Sequence, residues 1–158
     1  MSFFRVLAPM TRIGTMSMRQ SPAKEQLIQS VRNYCSPQQH LVFEVKDFQE
    51  FMEKVIESSK TTPVIVDCYA DWCGPCKNLT PRLEEKIINR GGEVLLAKIN
   101  VDLAGELAVD LDVTAVPTVI AVRNGEGVGS FTGDHPDESI DNFIEKLLEG
   151  EVPVVMDD

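Results

Sequence analysis

The stretch Val64-Ile65-Val66-Asp67-Cys68-Tyr69-Ala70-Asp71-Trp72-Cys73-Gly74-Pro75-Cys76-Lys77 decides how this chain folds. Val64, Ile65 and Val66 form a β-branched apolar run without alternation, the pattern of a strand buried on both faces. Thr62-Pro63 ahead of it breaks the preceding helix. Just beyond the run stand two cysteines separated by Gly74-Pro75, at a strand-to-helix junction. Positions i and i+3 on a helix are neighbours, so Cys73 and Cys76 can close a small disulfide without backbone rearrangement. Pro75 removes an amide that the first helical turn leaves unpaired anyway, and Gly74 lets the backbone turn sharply.

Upstream, Leu41, Phe43 and Val45 alternate as a strand, and Phe48, Phe51, Met52, Val55 and Ile56 recur at helical spacing behind an Asp47 N-cap. Downstream, Asn78 to Arg90 reads as a helix with Leu79, Leu83, Ile87 and Ile88 inward, ended by Gly91-Gly92. Val94 to Val101 is a strand, Leu103 to Leu111 a short helix and Thr118 to Val122 another strand. Asn124-Gly125 is a hairpin signal, Gly129 to Thr132 its partner strand, and Ser139 to Leu148 the last helix. The order βαβαβαββα implies an α/β fold, a mixed central β-sheet flanked by α-helices on both faces. Residues 38–150 make up this domain, and 151–158 form an acidic C-terminal tail with no caps or turns to assign it.

A C-x-x-C pair reads as redox or metal chemistry. As half a structural zinc site it needs two more ligands, but Cys35 and Cys68 form no second pair and His40 and His135 stand alone. As a redox pair, Cys73 sits at the helix N-terminus, where the macrodipole favours an anion by about 0.3–1 kcal/mol, up to about 2 when partly buried. At about 1.36 kcal/mol per unit this lowers the pKa by roughly one unit, and a further donor, the Cys76 thiol, helps to hold the thiolate. Cys73 is therefore the expected nucleophile. Cys76, one turn inside the helix and expected to be the more buried, is the resolving thiol that attacks a mixed disulfide.

The formal charge of −10 is unevenly spread. Residues 1–37 carry Arg5, Arg12, Arg19, Lys24 and Arg32 against Glu25, a net +4, whereas the remainder carries −14. An acidic domain without a basic stripe argues against nucleic-acid binding. No stretch approaches the ~20 apolar residues of a membrane span. On a helical wheel Arg5, Arg12 and Arg19 share one face and Phe3, Leu7 and Met10 cluster opposite. With several serines and one acid, residues 1–37 read as a mitochondrial transit peptide and linker, a presequence expected to be disordered until the import machinery binds its apolar face. Arg32-Asn33-Tyr34-Cys35 resembles a matrix-protease cleavage context. The competing reading is a solvated N-terminal extension without function.

From Val64 to Leu148 the chain resembles the thioredoxin family, through Val66-Asp67, Ala70, Trp72 to Lys77, Pro81, Lys98, Val116-Pro117-Thr118, Gly125 and Gly133. Pro81-Arg82-Leu83-Glu84 and Ala115-Val116-Pro117-Thr118-Val119 are similar to its animal mitochondrial members in particular. The resemblance implies a thioredoxin fold. It makes Asp67 the family's buried acid, which takes the Cys76 proton through water, with Lys98 opposing the rise in pKa that burial causes. By pattern alone Asp67 reads instead as a solvated acid at a strand end. Pro117 resembles the family's cis-proline facing the disulfide, where the Val116 backbone pairs with an extended substrate; without the resemblance it reads as an edge proline. Trp72 is then expected to cover the cysteines and to dock substrate with Gly74, Pro75 and Gly133. Pro81 is expected only to kink its helix. Cys68 departs from the bulkier residue usual in the family and reads as an inert core thiol, and His135 as a surface loop residue.

The implied activity is that of a protein disulfide reductase in the mitochondrial matrix. It would need no bound cofactor, would take electrons from NADPH through thioredoxin reductase, and would serve disulfide-containing clients such as peroxiredoxins. An isomerase or oxidant fits Gly74-Pro75 and the leader poorly. The alternative from another class is an interaction module that binds clients in a redox-dependent way, with turnover secondary.

Overall fold

The computed structural model describes residues 40–153; the leader and its cleavage context, Cys35 and the end of the acidic tail lie outside them. Among the described residues nine elements follow one another: β1 (Val42–Glu44), α1, β2 (Val64–Tyr69), α2 (Gly74–Asn89), β3 (Leu95–Asn100), α3 (Gly105–Asp110), β4 (Thr118–Arg123), β5 (Glu126–Thr132) and α4 (Asp137–Glu149). α1 comprises Phe48–Glu50, a π-helical stretch Phe51–Ile56, and Glu57–Ser59. The sheet has the order β1-β3-β2-β4-β5. β1 and β2 run parallel to β3, while β4 pairs antiparallel with β2 and β5 antiparallel with β4. This is the mixed sheet that alternating strands and helices closed by a hairpin require.

β2 lies at the centre, and its first five residues are buried. Its side chains alternate between two cores. Ile65 joins Leu79, Leu83 and Ile87 of α2 and Phe143 and Leu147 of α4 on one face of the sheet. Val64, Val66 and Cys68 join Phe51 and Val55 of α1 and Leu107 of α3 on the other. The odd-numbered residues of β2 therefore point under α2, and Asp67 is the next of them after Ile65.

Local chemistry accounts for the boundaries. Asp47 caps α1 by accepting from the Glu50 amide at 2.8 Å. Asn124 and Gly125 both take positive φ, 55° and 84°, the conformation of a type I′ turn between β4 and β5. Two expectations shift. Phe48 and Met52 are exposed and only Phe51 and Val55 of the α1 set are buried, because i→i+5 bonding departs from the 3.6-residue spacing at which the five apolar residues recur. β5 starts at Glu126 rather than Gly129, and the tail that showed no pattern has a contact: Pro153 is buried, and a Cβ on Gly129 would overlap its carbonyl. No helix among the described residues is long and apolar enough to cross a membrane.

Candidate active site

The chain leaves β2 at Ala70, whose carbonyl accepts from the Cys73 amide at 3.1 Å, and turns into α2. Cys73 has extended backbone and occupies the N-cap of α2: its Sγ accepts from the Cys76 amide at 3.2 Å. The helix thus starts at Gly74, four residues before the position expected from apolar spacing, because the cap is a sulfur and the first turn carries the motif rather than core residues. Cys73 and Cys76 form a disulfide with their Cα atoms 5.4 Å apart. Both are 3 % exposed, so greater burial does not set Cys76 apart. The backbone does: Cys73 precedes the helix and receives an amide, while Cys76 lies within the first turn. Gly74 and Pro75 are exposed beside them.

Ala70 forms a buried cluster with the two cysteines, and Tyr69, Val101 and Val116 pack against that cluster. Trp72 presents its ring to solvent, 69 % exposed, and its Nε1 donates to Asp102 Oδ1 at 3.2 Å. Trp72, Val101, Val113 and Val116 line a groove of about 140 Å³. The Val116-Pro117 peptide is cis, and the Pro117 carbonyl accepts from the Gly133 amide at 2.9 Å. Gly133 holds φ at 99°, a conformation that a side chain rarely adopts. Among the described residues, no turn or loop main-chain hydrogen bond uses the amide or carbonyl of Val116. Val116 thus packs at the cysteine cluster and shares a groove with Trp72, while Pro117, next to Val116 in the chain, is tied to Gly133.

Asp67 lies inside β2 and is completely buried, which corrects the pattern-only reading of a solvated strand-end acid. Its neighbours in the sheet are Lys98 on β3 and Val119 on β4. Oδ2 accepts from the Thr80 hydroxyl at 2.6 Å, while Oδ1 has no hydrogen-bond partner among the described residues. Burial pushes the carboxyl up from 3.8 to about 6; the Thr80 hydrogen bond and then the Lys98 charge oppose the rise, and Glu84 adds to it. Lys98 does not reach Asp67 as a paired cation. Its Nζ binds Glu84 at 2.9 Å and stands 5.2 Å from the centre of the Tyr69 ring. Burial works against the ammonium, but Glu84, with Tyr69 and Glu44, outweighs it, so the Lys98 pKa is raised. Cys76, Thr80, Glu84 and Lys98 line one open cleft of about 350 Å³.

Thr80, Glu84 and Asp102 escaped the reading of the sequence. A signal for the first two was present: positions 76, 80 and 84 are one turn apart and share a helix face. Asp102 had none, since its tie to Trp72 bridges two loops. Cys68 is fully buried, and burial followed by the Asp67 charge pushes its thiol up to about 12, which removes its thiolate at physiological pH. His135 lies partly exposed in the loop before α4, as expected of a surface loop residue; its ring meets Phe131 edge-on at 5.0 Å, and its Nε2 lies 3.1 Å from the Thr132 carbonyl. Pro81 lies inside α2. Among the described residues, no three His, Cys, Asp or Glu side chains are grouped to hold a metal.

Residues 41–146 match the family model described as Thioredoxin. A Caenorhabditis elegans protein, "Probable thioredoxin-2", is 58% identical over 107 residues, 68% of this chain and 72% of its own length. "Thioredoxin, mitochondrial" of Mus musculus is 42% identical over 106 residues, 67% of this chain and 63% of its own. The crystal structure of a Malassezia sympodialis thioredoxin, Mala s 13, superposes with a TM-score of 0.57 over 70% of this chain and 90% of that one; at 23% identity it speaks for the fold alone.

Proposed function

The chain belongs to the thioredoxin family, whose members are thiol–disulfide oxidoreductases, and from that premise we propose a protein disulfide reductase of the mitochondrial matrix with Cys73 as nucleophile and Cys76 as resolving thiol. The observation that carries the assignment is the cap: Cys73 Sγ receives the Cys76 amide at 3.2 Å at the positive end of α2, where a thiolate is favoured over a thiol. In the reduced protein, Cys73 thiolate attacks one sulfur of a client disulfide. A Cys73–client bond forms, and the other client sulfur leaves and takes a proton. Asp67 then accepts the Cys76 proton through water from the cleft that Cys76, Thr80 and Lys98 line, with Lys98 tuning the acid. Cys76 thiolate attacks Cys73 Sγ, the second client thiol departs, and the Cys73–Cys76 disulfide remains. The client gains two electrons and two protons.

Val116, with its main chain beside the cis-proline, suits an extended client segment, and Trp72 and Gly133 flank that edge. No prosthetic group is needed; the disulfide left behind would be reduced by NADPH through thioredoxin reductase, and peroxiredoxins are fitting clients. The mitochondrial relative and the basic leader of residues 1–37 support the address. Deleting residues 1–37 is expected to abolish import and leave activity in vitro intact; retained import would overturn the leader's role. Insulin reduction with NADPH and thioredoxin reductase tests the activity. A folded but inactive protein that still captures clients would favour the redox-dependent interaction module instead.

A further inference from the structure

A threonine inside a helix commonly turns its hydroxyl back to the carbonyl one turn earlier. Thr80 instead spends its hydrogen bond across the helix–sheet interface, on Asp67 Oδ2 at 2.6 Å. The acceptor is a wholly buried carboxyl whose other oxygen has no partner among the described residues. Thr80 also lies one turn beyond Cys76 on the same face of α2, and both line the cleft that Lys98 and Glu84 share. The remaining charged and titratable groups around the acid do not take this place: Lys98 on β3 is held by Glu84 of α2, Cys68 and Tyr69 are its neighbours along β2, and its partner on β4 is Val119.

We propose that Thr80 is a positioning residue for the resolving step: its hydroxyl fixes one oxygen of Asp67 beneath the turn that carries Cys76, holding the carboxylate ready and leaving Oδ1 as the base. The inference rests on the proposed role of Asp67 as proton acceptor. A hydroxyl donor favours the charged carboxylate, which must exist before it can take a proton, and so works against the burial that suppresses it. The divided carboxyl makes chemical sense on these terms: one oxygen is anchored and the other is available. With both oxygens anchored, the acid would be a weaker base.

The test compares Thr80→Val with Thr80→Ser in the full chain. It measures the pH profile for resolution of a Cys73 mixed disulfide and the Asp67 titration by carboxyl-carbon NMR. Loss of a hydrogen bond to a charged group is expected to move both midpoints upward by about one to two pH units. Resolution at pH 6 then falls about tenfold or more, converges with the parent at high pH, and returns with serine; the initial attack by Cys73 stays within about twofold. Should valine disturb folding, Thr80→Ala serves in its place. Unchanged midpoints in the Thr80 variants, with Asp67→Asn altering the resolution profile, would overturn the role of Thr80 and leave that of Asp67 standing. An unchanged resolution profile in Asp67→Asn would overturn the acceptor reading itself, and the inference with it.

Discussion

Two faces of α2 use the same spacing for opposite ends. Toward α4, Arg82, Lys86 and Arg90 stand one turn apart and meet Asp137, Asp141 and Glu145, also one turn apart, at 2.9, 2.8 and 3.5 Å. Toward the sheet, Cys76, Thr80 and Glu84 follow the same period and meet the disulfide partner Cys73, Asp67 and Lys98. The first file is partly solvated and redundant, so water and neighbouring ions screen each rung and replace any one that is lost. The second borders the core. There the buried Asp67 has Thr80 as the one side-chain hydrogen-bond partner shown among the described residues, and burial makes that partner decisive. A periodic pattern becomes scaffold or site according to how much water the facing surface excludes.

This contrast breaks most readily at Cys76. Cys76→Ser is expected to abolish turnover while mixed disulfides through Cys73 accumulate, read by mass spectrometry of trapped adducts. Adducts at Cys68 or Cys35 would reverse the assignment. Asp67→Asn should act on stability as well as chemistry. The folded carboxyl titrates near 6 against 3.8 unfolded, so the native state binds the extra proton between these values and stability falls as pH rises through them. The penalty is absent below about pH 4 and complete above about pH 6, and for a shift of about two units it amounts to about 3 kcal/mol. In urea titrations the asparagine variant is expected to match the parent at pH 4 and exceed it by up to that amount at pH 8; a constant gap would contradict the buried charge.

On the other face effects should be small and sensitive to salt. Arg82 ties α2 to Asp134 at 2.7 Å and to the His135 carbonyl at 2.6 Å, from a side chain 29% exposed. Arg82→Ala is expected to cost about 1 kcal/mol, diminishing in 1 M salt, with a double-mutant cycle against Asp134 isolating the pair. Arg90→Ala, at the long and exposed rung, should cost a few tenths of a kcal/mol at most. Thermal melts at low and high salt check both. A loss of activity in Arg90→Ala without a loss of stability would show that the two faces are not separate in function.

The element order, the Asn124-Gly125 turn, the Asp47 cap and the inward stripe Leu79, Leu83 and Ile87 were legible in the sequence, whereas Ile88, expected inward with them, is only half-buried. Each depends on a period or a turn preference within a few residues. The cysteine pair was legible for the same reason, since three residues of helix set its spacing. Boundaries moved where tertiary contacts or an unusual helix intervened: at the sulfur cap of α2, in the π stretch of α1, and where Pro153 lies against Gly129.

The surroundings of the pair belong to the tertiary structure. Asp67 and Thr80 are 13 residues apart, Trp72 and Asp102 are 30 apart, and neither contact follows from local spacing. Residue type did not reveal that Asp67 faces α2 rather than water; strand alternation and the layer above it decide that. Short-range geometry along the chain settles which two sulfurs can join and that a helix follows them, because both depend on residues within one or two turns. Only the fold decided which groups lose their water, and hence that Asp67 is driven up to about 6 with Thr80 as its one partner among the described residues, because desolvation is set by everything packed around a group.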